Sequence, residues 1–282
     1  MTSKSAPSGF KSTDRDVRDL RFRLEMALWR AGKRLRKRLA PAVGRSCLFV
    51  TGAQRSGTNM LMECLDWSSQ TDAFHESDPR AFHEYQMLPR TVIHGLVDAS
   101  RFPCVAIKAL CEAEQTGLLL DEFQPAQAIW VVRDFRDTVN SAIRNFPDFT
   151  VRIREMAEDP QSVPGWFARG MSEETLALLR RLNVPDMTSA TASALRWYIR
   201  NVLYFEQGLD QDDRVMVVHY SDLVTNPIDT LERVFTFARL TDFSPFITRK
   251  VHAKSLRKNP EPDIHPEVRE VCFQLQARFP KR

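Results

Sequence analysis

Between Cys47 and Met60 the chain reads C-L-F-V-T-G-A-Q-R-S-G-T-N-M, and the residue types at its centre suit the holding of an anion. Arg55 brings a cation, and Ser56, Thr58 and Asn59 bring hydrogen-bond donors, all around Gly57. The apolar run Cys47 to Val50 leads into this turn, and the amphipathic stretch Met60 to Leu65 leads out of it, a pattern that predicts a buried strand feeding a helix. The N–H groups of a helix's first turn lack carbonyl partners within the helix and converge on whatever sits at its N-terminus. Gly57 lets the backbone turn tightly enough to present them. A second anion-binding pattern lies in V-V-R-D-F-R-D-T-V-N-S-A-I-R, where Arg133 follows an apolar run and Ser141 stands eight residues on. That distance is about two helical turns, so a loop folding back brings both side chains to one phosphate.

The glycine spacing from Gly52 to Gly57 fits the first part of the nucleotide-triphosphate P-loop, G-x-x-x-x-G-K-[ST], yet Thr58 stands where that motif has Lys. The phosphate-facing charge is then Arg55, inside the loop. In a nucleotide triphosphatase the later strand ends in a carboxylate that holds Mg²⁺. Here the strand ends in Arg133, which binds anions and ligates no metal. A salt bridge from Arg133 to Asp134 or Asp137 is the plain structural alternative. Asp134 as a metal ligand keeps open a P-loop kinase or nucleotide-binding module using ATP and Mg²⁺.

The elements that must position these groups follow from apolar patterning. Strands are expected at Cys47–Val50, Cys104–Lys108, Ala128–Val132 and Arg214–Tyr220, the third apolar throughout as a parallel strand covered on both faces should be. Helices are expected at about 57–68, from Asp137 onward, at Glu173–Leu182, at 189–207, after Asn226-Pro227 and at 266–278. Gln70 to Pro79 reads as polar and non-regular, and 80–100 carries weak helical signals. Residues 145–195, broken by Pro147, Pro160, Pro164 and Pro185, read as a helical insertion shaping a pocket. Residues 1–44 form a separate stretch: a polar tail, then a helix over 15–40 with a leucine face and a dense basic run that Pro41 ends. Such a helix either packs by its leucines or rests on an anionic membrane surface. The domain proper is 45–282.

At 282 residues the chain suits one α/β domain with a full core. A net charge of +4 permits an anionic ligand and is too mild to argue for nucleic acid. No apolar run approaches membrane-spanning length, and Met1 to Lys11 holds no apolar signal core. Five cysteines without a C-x-x-C pair suit buried thiols in a reducing, cytoplasmic compartment, with peripheral membrane contact through 15–40 as the variant of that reading.

Taken together, three stretches resemble the sulfotransferases that use 3′-phosphoadenosine 5′-phosphosulfate (PAPS). Q-R-S-G-T-N is similar to that family's 5′-phosphosulfate loop, which implies that Arg55, Ser56, Gly57, Thr58 and Asn59 hold the cofactor's 5′ end. Arg133 and Ser141 match its 3′-phosphate motif, and Tyr220 in H-Y-S-D-L-V-T-N-P matches the Tyr beside the adenine. The resemblance implies a P-loop NTPase-like three-layer fold with a central parallel sheet, and sulfuryl transfer to an acceptor hydroxyl, leaving PAP. Cytosolic members carry a catalytic His two residues after a strand-end Lys; here Lys108 is present and Leu110 stands at the His position. The tyrosylprotein and carbohydrate branches use a Glu about twenty residues past the loop, which implies Glu76, 21 residues after Arg55, as the base, with His75 as its rival. Lys108 would contact the sulfuryl group, and Lys258 belongs to a basic segment near the 3′-phosphate. The scheme needs no metal. The acceptor, a small alcohol or a glycan, leaves no motif.

Overall fold

The computed structural model describes residues 28, 29, 31–33, 45–146, 148–163, 165–251, 256 and 260–280. The chain divides into two compact units, Met1–Ala42 and Val43–Arg282. In the first, residues 28, 29 and 31–33 are helical; the rest of the basic helix expected over 15–40 lies outside the described residues, as does Lys258.

In chain order the second unit runs β1 (Ser46–Gly52), α1 (Thr58–Asp66), β2 (Thr71–Phe74), β3 (Phe82–His83), β4 (Gln86–Met87), α2 (Arg90–Ala99), β5 (Cys104–Lys108), α3 (Thr116–Glu122), β6 (Ala126–Val132), α4 (Phe135–Asn145), α5 (Thr150–Glu158), α6 (Glu173–Arg181), α7 (Ser189–Glu206), β7 (Val215–His219), α8 (Tyr220–Thr225), α9 (Pro227–Phe237) and α10 (Pro266–Arg278). Five strands form one sheet in the order β2-β5-β1-β6-β7, all parallel. Parallel neighbours need long crossovers, and the intervening helices provide them.

Phe49 lies opposite Ile107 and Ala128, so these three share a face, which packs on Ile93 of α2 and on Leu119 and Leu120 of α3. Further along that face Trp130 and Val132 meet Phe135 and Val139 of α4 and Leu195 and Trp197 of α7. Leu48, Val50, Ala106, Ile129 and Val131 point the other way and are also buried, with α1 against β1, β2 and β5. Helices therefore cover both faces, the three-layer α/β arrangement with a central parallel sheet.

Two local expectations need correction. Thr71–Phe74 is not irregular but a strand on the sheet's edge, with Asp72 buried and accepting a hydrogen bond from Ser100 Oγ at 3.2 Å. Residues 80–100 open with the β3–β4 hairpin before α2 begins. All five sheet strands run the same way, so the segments leaving them gather at one edge. That edge holds the loop after β1, His75 and Glu76 after β2, Lys108 at the end of β5, Arg133 after β6 and Tyr220 after β7. The C-terminal edge of a parallel sheet is where α/β folds bind ligands.

Candidate active site

The loop after β1 is a tight cradle. Gly52 has φ +132°, and a Cβ there would meet the Val131 carbonyl oxygen at 2.3 Å. Gly57 has φ +100°, and a Cβ there would meet the Tyr220 ring at 2.3 Å. Between them Arg55 takes a left-handed φ of 69°, an uncommon conformation that costs energy for a residue with a side chain. Gly57 caps α1 without any side-chain hydrogen bond, and the first turn carries no acidic residue. The helix thus presents its leading N–H groups with no side chain answering them.

Arg133 reaches this loop directly. Its Nη1 donates to the Arg55 carbonyl oxygen at 3.1 Å, and its guanidinium lies over the Tyr220 ring at 4.4 Å. Arg55 in turn donates from Nε to Ser141 Oγ at 3.0 Å. Gly57, Arg55, Arg133, Ser141 and Tyr220, drawn from four segments, are therefore one cluster. Burial pushes the Arg133 guanidinium below the ordinary arginine value, and the charge of Arg55 adds to this against the pull of Tyr220, Asp137 and Asp134. Trp197 donates from Nε1 to the Arg133 carbonyl at 3.0 Å, so α7 fixes the strand end from behind.

Asp134 is committed elsewhere. Its side chain caps α4 through Arg136 N at 2.9 Å and pairs with Arg136 Nη2 at 2.6 Å. Burial alone would raise its carboxyl, but those bonds and the Arg136 charge hold it below the usual range. Among the described residues no group of three or more His, Cys, Asp or Glu is arranged to hold a metal ion.

Lys108 is 3% exposed and forms an ion pair with Glu76 and a 2.5 Å hydrogen bond to Asn59 Oδ1. The ends of β5 and β2 and the start of α1 are thereby tied at one ammonium. His75 stands next to Glu76, and its imidazole is lowered by burial first and by Lys108 among its neighbours.

A carboxylate that the sequence did not single out lies close by in the chain. Glu112 is 4% exposed, accepts from Met87 N at 2.8 Å and has no hydrogen-bond partner for Oε2. Burial pushes its carboxyl up from 4.5 to about 7, with Glu114 adding to the rise. Between those two values the unfolded chain holds fewer protons at this site than the folded one, so stability falls as pH rises through the window. Glu112→Gln should remove that slope and raise stability above pH 7 by roughly 3 kcal/mol, read from melting curves between pH 4.5 and 8.

With this geometry in hand, the comparisons with known proteins decide the family: the model of the sulfotransferase domain matches residues 45–260. The chain belongs to the sulfotransferase family. No curated protein matches it significantly. The solved structures it is similar to include the sulfotransferase domain of the Synechococcus PCC 7002 olefin synthase, at 15% identity over 86% of this chain and 97% of that one, with a TM-score of 0.45. Alicyclobacillus acidocaldarius sulfotransferase aligns at 16% identity over 83% and 92%, TM-score 0.47. A mouse sulfotransferase complexed with PAP aligns at 15% over 83% and 84%, TM-score 0.43.

The residues of this sulfotransferase fit an anionic ligand. Ser56 Oγ is buried in the loop without a hydrogen-bond partner, α1 begins uncapped, and Arg55 and Arg133 lie side by side. Buried polar atoms are ordinarily paired, so an orphan hydroxyl inside an anion cradle is a place for a ligand oxygen. No helix among the described residues is long and apolar enough to cross a membrane. All five cysteines are buried thiols outside any disulfide.

Proposed function

We propose that the chain transfers a sulfuryl group from PAPS to an acceptor hydroxyl, a small alcohol or a glycan, in a reducing cytoplasmic compartment. The observation that carries this reading is the contact between the loop and the end of β6: Arg133 bonded to the Arg55 carbonyl, and Arg55 bonded to Ser141. Two cationic motifs 78 residues apart are thereby in direct contact. PAPS supplies the activated sulfuryl group and carries negative charge at both ends. Arg55, Ser56, Thr58, Asn59 and the open N–H groups of α1 hold the 5′ end. Arg133 and Ser141 hold the 3′-phosphate. Tyr220, packed on Gly57 and Arg133, fixes the wall between the two and lies on the adenine side.

Transfer of this kind asks for alignment, a proton acceptor and fixed positive charge where negative charge gathers. Lys108 and Arg55 supply the charge. Glu76, held by Lys108, takes the acceptor's proton. The test is thermal: PAP should raise the melting temperature of the full chain clearly more than AMP or ATP with Mg²⁺ at equal concentration. A larger shift with ATP and Mg²⁺ would replace this reading with a nucleotide-triphosphate enzyme.

A further inference from the structure

Two arginines stand one turn apart on α7 and are treated differently. Arg200, 2% exposed, is answered on several sides, though its Nε is unbonded: Nη2 donates to the Leu110 carbonyl at 3.1 Å and lies 3.5 Å from Glu114 Oε2, and Nη1 donates to the Trp166 carbonyl at 3.4 Å. Arg196, 8% exposed, has no carboxylate partner among the described residues, and its Nη1 is buried without a hydrogen bond. Its guanidinium lies over the rings of Phe149 at 4.2 Å and Phe146 at 4.6 Å. Cation–π contacts soften the burial of a charge but do not satisfy the N–H donors. The charges that act on it are mainly of its own sign, Arg200 and Arg55, and burial foremost pushes its guanidinium down to about 9. The thiol of Cys111, raised by burial, stays protonated and offers no counter-charge.

The position of this cation says what it faces. Arg55 also sits over Phe146, at 5.7 Å, so both arginines share one ring. One turn further along α7, Arg200 bonds the carbonyl of Leu110, two residues past Lys108. Arg196 thus lies on a helix face that runs from the ring shared with Arg55 to the segment leaving β5. It projects from the helix that closes the 145–195 insertion. The nucleotide's two charged ends are already met by Arg55 and by Arg133 with Ser141. Resting on the function proposed above, we propose that Arg196 binds an anionic group on the acceptor, so that the substrate is a hydroxyl compound already carrying a phosphate, sulfate or carboxylate. An uncompensated buried cation weakens the free fold, and a ligand anion removes that penalty only when the acceptor is in place.

The experiment uses the full chain saturated with PAP and measures binding by calorimetry. The probes are inorganic phosphate and matched pairs, glycerol 3-phosphate against glycerol and glucose 6-phosphate against glucose. Anionic members should bind the PAP complex and neutral ones should not. Arg196→Met should weaken the anionic probes by about 10–100-fold, leave PAP and PAPS affinity unchanged, and raise the melting temperature of the free protein by several degrees. Anionic probes that fail to bind, or that bind Arg196→Met as well as wild type, overturn the proposal. A loss for PAP, or for PAPS alone, would put Arg196 on the nucleotide or on its sulfuryl group and overturn it too. If wild type itself does not bind PAP, the failure belongs to the nucleotide reading.

Discussion

Glu76→Gln should keep nucleotide affinity and lose roughly 10²–10⁴-fold in turnover, the range a positioned base contributes. The variant is close to isosteric, and its amide oxygen still accepts from Lys108, so the tie between the ends of β2 and β5 survives. What disappears is the proposed proton acceptor. The measurement is PAP binding at equilibrium beside single-turnover transfer of labelled sulfate. Near-normal turnover would move the base to His75, whose lowered imidazole is neutral at physiological pH and able to accept a proton. A loss of PAP binding equal to the loss of turnover would instead mean that Glu76 serves only to hold Lys108 and Asn59 in place.

The same carboxylate shows where reading the sequence reached its limit. The strands expected at 104–108 and 128–132 are observed, because each is an apolar run buried on both faces and so unmistakable in composition. β2 is only four residues long, T-D-A-F, and holds a buried aspartate that Ser100 satisfies from outside the segment. A polar edge strand of that length has no periodicity to read, yet it delivers His75 and Glu76 to the site. The resemblance to a family proposed Glu76 by its distance from Arg55; the physical reason for its position is a strand that composition concealed. Arg196 was concealed differently. On α7 it recurs with Arg200 at a four-residue step, a spacing that marks one helical face, and nothing local tells which of the two has a carboxylate waiting. That difference comes from Glu114, 82 residues from Arg196, and only the folded chain brings it to one arginine and not the other. The motif at Arg133 lay between these extremes. Its type and place at a strand end indicated an anion, but the bond to the Arg55 carbonyl, which joins the two motifs, depends on the neighbouring register of β1 and β6.

That bond gives Arg133 two duties, and Arg133→Ala separates them. The proposed one is direct, a forked donor for the 3′-phosphate beside Ser141; the observed one is structural, since the guanidinium braces the loop and lies over Tyr220. Losing a charge-assisted contact should weaken PAP by about 10–100-fold relative to wild type. AMP lacks the 3′-phosphate, so its affinity should fall only by the part that comes from bracing the loop. The ratio of the two losses, measured by calorimetry, isolates the 3′ contact from the support of the cradle. Arg133→Lys sharpens the comparison: it keeps a charge near the phosphate but gives up the planar fork that bonds Arg55 and stacks on Tyr220, so it should recover PAP binding only in part. Equal losses for PAP and AMP in Arg133→Ala would mean that the residue acts on the loop alone, and the 3′-phosphate would then have to be sought on Ser141 and the basic segment that contains Lys258.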